Sequence, residues 1–184
     1  MRELSLHILD ITENAVRAGA SLIRIEVLED TSAHTLTIGI YDNGSGMDEE
    51  TVNRVLDPFY TTRTTRKVGM GIPLFKMAAE QTGGSFHLSS KLCFGTNVQA
   101  KFKTDHVDCT PLGDMNETML TLLTMHEDID FYYRRKCDAR EFVLNTMELR
   151  EILSGVPFHE PSVRAWLQGF LDENTKQVVG GASN

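Results

Sequence analysis

Apolar and polar positions alternate along this chain with periods that change every ten residues or so. Leu4, Ile8, Ile11, Ala15 and Ala18 recur at steps of four and three, the spacing of one buried helical face. Beside them His7, Asp10, Asn14 and Arg17 recur at three, four and three, so the same helix carries a second, polar stripe. Gly19 supplies a C-terminal stop. Ile23, Ile25 and Val27 then alternate with Arg24 and Glu26, and Leu36, Ile38 and Ile40 alternate after a polar turn at Glu29 to His34. These are two half-buried strands, paired as a hairpin.

The pattern continues with a short helix over Glu49 to Leu56, an irregular segment over 57–71, and a helix over Ile72 to Gln81 stopped by Gly83-Gly84. Two strands follow, Phe86 to Leu92 and Thr96 to Phe102, around a turn at Phe94-Gly95. Hairpins with interspersed helices predict an α+β sandwich. Near residue 104 the composition turns polar (TDHVDCTPLGD), which marks a boundary between a domain over 1–104 and a helix-hairpin-helix appendage over 105–184. The appendage has a helix over Met115 to Met125, a hairpin (DFYYRRK, EFVLNT) and helices over Thr146 to Leu153 and Pro161 to Asp172. The last of these places Val163, Trp166, Leu167 and Phe170 on its buried face, and VVGGASN reads as a loose tail. Met115, Met119 and Met125 suit core packing, with a partner groove as the alternative. Tyr132 to Arg135 read as an amphipathic strand, with an interaction edge as the alternative.

Composition narrows the class. The 184 residues are 41% apolar and 24% charged, as in a soluble globular protein. There is no apolar run of bilayer length and no apolar N-terminal leader, so the expectation is a cytoplasmic protein without a membrane span. Three widely spaced cysteines read as reduced thiols. A net charge of −8 argues against nucleic acid and anionic membrane as partners. Arg63, Arg66 and Lys67 form a local basic exception.

Four motifs stand in order behind the striped helix: DNGSG (Asp42 to Gly46), DPFYTTR (Asp57 to Arg63), KVGMG (Lys67 to Gly71) and FGT (Phe94 to Thr96). Each alone is an ordinary turn or helix start. Their order behind an Asp-x-x-x-Asn helix resembles the superfamily of gyrase B subunits, the large heat-shock chaperone, sensor histidine kinases and the MutL mismatch-repair proteins. The resemblance covers residues 1 to about 103. ENAVRAGASLIRIEV looks like the MutL branch, and DPFYTTR with GMG looks like the histidine kinases.

That resemblance implies a two-layer sandwich of helices on a mixed sheet, the Bergerat fold, and a site for ATP and Mg²⁺. It implies that Asn14 holds Mg²⁺, for which an amide oxygen is a suitable hard ligand, and that Arg17 faces the phosphates. Asp42 would accept the adenine amino hydrogen, a contact that a guanine carbonyl cannot make. Gly44 and Gly46 would let backbone approach the base, and Met47 and Val68 would wall it. Thr96 would support Asp42 directly or through a water. Gly69, Met70 and Gly71 would open a helix whose amides cradle phosphate. Thr61, Arg63 and Lys67 would belong to a short basic lid ordered by phosphate.

Besides the short lid, two departures qualify the family pattern. Asp10 stands where the hydrolysing branches carry a glutamate base, and it is one methylene shorter; about 1 Å of misplacement costs ~100-fold in rate. Glu13 points about 100° away from Asn14 and is a poor substitute. With six residues before His7, a phosphoacceptor hairpin is not expected, and His7 itself is expected to pack near Asp10. Slow hydrolysis or proton abstraction from a protein hydroxyl by Asp10 therefore fits better than fast ATPase chemistry. The resulting expectation is a stand-alone, histidine-kinase-like protein kinase acting on a separate partner protein, or a slow ATPase. The alternative is an ATP-gated interaction module, and the reading leaves room for a homodimer.

Overall fold

A computed structural model describes residues 3–56 and 71–180. The expected α+β sandwich forms. Helix α1 (Leu4–Arg17) is followed by β1 (Leu22–Asp30), β2 (Thr35–Asp42), α2 (Glu49–Val55), α3 (Gly71–Gln81), β3 (Ser85–Lys91), β4 (Gly95–Lys103), α4 (Met115–Met125), β5 (Asp130–Cys137), β6 (Arg140–Asn145), α5 (Thr146–Ile152) and α6 (Pro161–Val179). The strands make one open sheet in the order β3-β4-β2-β1-β5-β6. Every neighbouring pair is antiparallel except β1 with β5, which is parallel. No helix among the described residues is long and apolar enough to cross a membrane.

One face of the sheet is buried. Ile23, Ile25, Val27, Ile38, Ile40, Val98, Ala100, Phe102, Phe131 and Leu144 point into a core shared with Leu4, Ile8 and Ile11 of α1, Phe75 of α3, Met119 and Leu123 of α4, and Leu167 of α6. The intervening residues, among them Arg24, Tyr41, Gln99, Lys101, Tyr132 and Arg134, face the open side. There Glu26 is almost fully buried because Arg24 bonds its carboxylate at 2.6 Å and Arg134 lies 3.8 Å away.

Glycine ends two helices by the same device. After α1, Gly19 has φ +73°, its N–H bonds the Val16 carbonyl, and the Ala20 N–H bonds the Ala15 carbonyl. After α3, Gly83 has φ +72° with the equivalent pair to Glu80 and Ala79. A left-handed residue is needed for both, and glycine adopts it without penalty.

Residues 105–180 are helix, hairpin and helices as expected, but the hairpin joins the same sheet and α4 and α6 pack on the same core. The connecting segment crosses the start of α1. That helix has no side-chain cap; instead Leu4 and Ser5 donate their N–H groups to the carbonyls of Pro111 and Leu112 at 2.9 and 2.8 Å. The last helix differs from expectation: α6 runs on to Val179, because Val178 continues the buried stripe of Val163, Leu167 and Leu171. Trp166 lies off that stripe, 43% exposed and stacked on Phe170. Tyr132 to Arg135 form the expected amphipathic strand, and because β5 is flanked by β1 and β6 the alternative of an interaction edge falls. Tyr133 and Arg135 point into the core, where Arg135 bonds Glu29 at 2.8 Å. Of the three methionines on α4, Met115 and Met119 are core and Met125 is exposed.

Removing residues 105–184 should therefore do more than delete an appendage. It leaves β1 unpaired along one edge, strips the caps from α1 and uncovers Ile23 and Ile25. The expected outcome is loss of a cooperative thermal unfolding transition in the truncated chain, checked by circular dichroism against the full chain.

Candidate functional site

The motifs converge at the ends of β2 and β4 and along the polar stripe of α1. Asp42 closes β2, and antiparallel register places it opposite Thr96 of β4. Its Oδ1 accepts the Gly44 N–H at 2.8 Å, and the Thr96 backbone N–H also bonds the carboxylate. Burial nonetheless holds its pKa above the ordinary aspartate range, with these two donors opposing the shift.

Close backbone packing shapes the loop beyond Asp42. A side chain at Gly44 would press on Ala18, whose carbonyl accepts the Ser45 N–H at 2.9 Å. Gly46 (φ +64°) abuts the Lys91 carbonyl, and Gly95 (φ +92°) abuts the carbonyl of Asp42 itself. No side chain fits at either place. Asn43 ties the loop to the start of β1 by accepting the N–H groups of Ser21 and Leu22, both at 2.9 Å.

Along α1 the stripe begins at His7, which is buried with its ring 5.7 Å from that of Phe75. Burial lowers its pKa, and it therefore stays neutral further below neutrality than a free histidine. Asp10, one turn on, is half-buried, and its carboxylate occupies the space that a Cβ on Gly71 would take. Asn14 is half-buried; its Oδ1 accepts from Arg17 Nη1 at 3.0 Å, and its Nδ2 has no partner among the described residues. A buried amide with an unsatisfied N–H is retained at a cost. Arg17 is exposed. Glu13 turns away from the stripe to bond His126 Nε2 at 2.7 Å, at the C-terminal end of α4.

The structure thus brings Asp10, Asn14, Arg17 and Gly71 together along one helix face, and Asp42, Gly44, Gly46, Met47 and Thr96 together at its C-terminal end. Thr61, Arg63, Lys67, Val68, Gly69 and Met70 lie outside the described residues. Ser90 is the residue the sequence reading missed. Its Oγ accepts the Met47 N–H, bonds the Gly95 carbonyl and bonds Thr96 Oγ1, each at 2.9 Å. One signal was available: Phe86, Leu88 and Ser90 share the inward parity of β3, and a serine ending an apolar parity asks for a partner. Among the described residues no cluster of three or more His, Cys, Asp or Glu side chains could hold a metal by itself. A cavity of about 190 Å³ lined by Arg150, Val156 and Phe158 lies elsewhere. Its arginine is committed to Asp130 and to the carbonyls of Glu127 and Ile129.

Comparison with known proteins agrees with this geometry. The chain is 29% identical over 94 residues to the sensor histidine kinase YvrG of Bacillus subtilis, covering 49% of this chain and 16% of that protein. It is 40% identical over 58 residues to the sensor protein kinase FleS of Pseudomonas aeruginosa, covering 32% of this chain and 14% of that protein. It therefore spans only about a sixth of these relatives' length. Among solved structures, the Aquifex aeolicus MutL ATPase domain complexed with ADP superposes with a TM-score of 0.53 at 13% identity, over 84% of this chain and 70% of that one. This likeness extends the shared fold beyond the first 104 residues. The profile of the histidine kinase-, DNA gyrase B- and HSP90-like ATPases matches residues 2–106, more than half of the chain, and the chain belongs to that family.

Proposed function

We propose that the chain binds Mg-ATP between α1, the DNGSG loop and the β3–β4 turn, and transfers the γ-phosphoryl group to a separate partner protein or, slowly, to water. The observation that carries this reading is the desolvated Asp42 carboxylate, held by two backbone N–H groups and walled by glycines. It has acceptor capacity left for an exocyclic amine, which adenine has at that position and guanine does not. From Asp10 to Ala18, beside the loop, is eight residues of helix, about 12 Å, on the order of an extended nucleoside triphosphate.

The donor set of Asn14 fits Mg²⁺. A single amide oxygen, with phosphate oxygens and water completing the shell, is how this ion is commonly held; bound there, it would neutralise phosphate charge. Arg17, now on Asn14 Oδ1, would turn to the phosphates. Asp10 takes the proton of the attacking hydroxyl. The bond from that oxygen to the γ-phosphorus forms as the β–γ bridging bond breaks and ADP leaves. Gly71 supplies backbone without a side chain where Asp10 needs room, and Gly69 is assigned to the same phosphate-binding stretch from its motif. Thr61, Arg63, Lys67, Val68 and Met70 complete the proposed site as lid and wall.

A second reading, an ATP-gated interaction module with little catalysis, is favoured by one observation. The segment after residue 104 touches α1 at its start through Pro111 and Leu112 and next to Asn14 through Glu13–His126, so a change at the nucleotide has a direct path to it.

Asp42→Asn should abolish preference for ADP over GDP in calorimetry. Because the folded carboxylate has a raised pKa, its contribution to stability is present at low pH and lost as pH rises through that value. The variant should therefore be no less stable than the parent at pH 7, so that lost binding is not lost folding. ADP affinity of the parent should weaken on acidification at a pH above the ordinary aspartate range. Asn14→Ala, which removes only a bond to Arg17, should leave the melting temperature nearly unchanged and eliminate the Mg²⁺ dependence of ATP affinity. Asp10→Asn should keep ATP binding and lower turnover by roughly 10²–10⁴-fold. Asp10→Glu separates the two outlets with γ-labelled ATP: faster hydrolysis marks a water-directed base, and lost protein labelling marks a phosphotransfer base. An unchanged rate in both variants sinks the role of Asp10.

A further inference from the structure

Asn14 and Arg17 meet in one contact, and its chemistry leaves a single arrangement. The Asn14 amide faces Arg17 Nη1 at 3.0 Å. A guanidinium only donates, so the amide atom against it is the oxygen. Turning the amide over would bring its NH2 group onto the guanidinium, and the contact thus fixes the amide in one orientation. That orientation is kept although it leaves Nδ2 buried without a partner among the described residues. Arg17, for its part, is exposed and closes α1, and among the described residues no carboxylate pairs with it. The chain has 26 Asp and Glu residues against 18 Lys and Arg, and a cation that nonetheless rests on a neutral amide keeps its charge for an anion from outside the chain.

The same oxygen is the Asn14 atom that Mg²⁺ would take. Two cations seated on one oxygen repel each other even across water, so guanidinium and metal are alternatives there. A triphosphate shifts the balance. It draws the guanidinium more strongly than an amide does, through charge-assisted bonds, and its oxygens supply the ligands that a single amide lacks.

We propose that Arg17 is a stand-in cation at Asn14: it sits on the metal's oxygen, and its transfer to the phosphates opens that oxygen, so that metal binding follows nucleotide binding. This rests on the reading of Asn14 as the metal ligand and Arg17 as the phosphate contact. The consequence has a definite sign. A nucleotide bound without metal must break the Arg17–Asn14 bond before Arg17 can reach it, and Asn14 therefore lowers metal-free affinity.

The test is calorimetric binding of ATP to the full chain in the presence of a chelator. Asn14→Ala should bind metal-free ATP about threefold tighter than the parent, a factor between those of an exposed helix-surface pair and of a buried bond to a charged group. Arg17→Ala should bind it more weakly, and adding Asn14→Ala in that background should gain nothing, because no guanidinium is left to release. A gain of equal size in both backgrounds means that the amide acts on the phosphates directly. An unchanged or weakened affinity in Asn14→Ala means that Arg17 is not restrained. Either result overturns the inference. A second arm reads the contact itself and reaches weak binding. In the parent, millimolar ATP with chelator should move the Asn14 side-chain amide resonances toward their position in Arg17→Ala without ligand, and resonances that stay in place overturn the inference. A parent that binds ATP neither with chelator nor with Mg²⁺ overturns the proposed function and this inference with it. A parent that binds Mg-ATP but shows no gain from Asn14→Ala overturns this inference alone.

Discussion

Strand β1 has a neighbour on each side, and most of the molecule is arranged by that pairing. Its antiparallel partner β2 ends in Asp42, and its parallel partner β5 brings in everything after residue 104. Ile23, Ile25 and Val27 are fully buried because helices cover one face while both edges are hydrogen-bonded. A parallel partner cannot follow through a tight turn. The intervening chain is long enough to hold β2, α3, β3 and β4, which are the elements that build the site. The helix-hairpin-helix segment is thereby part of the structure that holds β2, and Asp42 at its end, in register.

Helix α1 serves two surfaces at once. Its apolar stripe lies on the sheet, and its polar stripe faces the space between Gly71 and the DNGSG loop. The two demands limit each other. The helix cannot roll to improve either face without moving Asn14 away from the loop, and its ends are fixed by different parts of the chain. Pro111 and Leu112 hold the first turn, and the Ala18 carbonyl holds Ser45 of the loop after the last. A helix pinned at both ends keeps its two stripes in one orientation, apolar toward the sheet and polar toward the candidate site.

The candidate site keeps polar groups in places where burial opposes them. Asp42 is a desolvated carboxylate, and the Asn14 amide N–H has no partner among the described residues. Both would be better replaced by apolar or exposed groups if stability alone mattered. Glycines at 46 and 95 fit where any side chain would collide with a carbonyl. Such local conflicts are the usual mark of a functional site.

Much of this was legible in the sequence, for a definable reason. Helix and strand periods, the glycine stops at Gly19 and Gly83, and the order of the four motifs are local properties of the chain. Among the described residues the elements they specified formed within a few residues of the expected bounds, apart from the end of α6, and the family followed from motif order. Bonds and faces that depend on distant residues were not legible. Nothing near Tyr132 says that β5 has a strand on both sides. Nothing near Val178 says that the last helix has core left to cover, and nothing near Glu13 names His126 as its partner. Ser90 is the sharpest case. Its serine and the Thr96 hydroxyl are both plain in the sequence, but they became partners only when folding brought Met47, Gly95 and Thr96 around one oxygen. The sequence by itself determined the elements and the chemistry of the loops. The tertiary structure decided which backbone groups consume each side chain's hydrogen-bonding capacity, and so what capacity is left for a ligand.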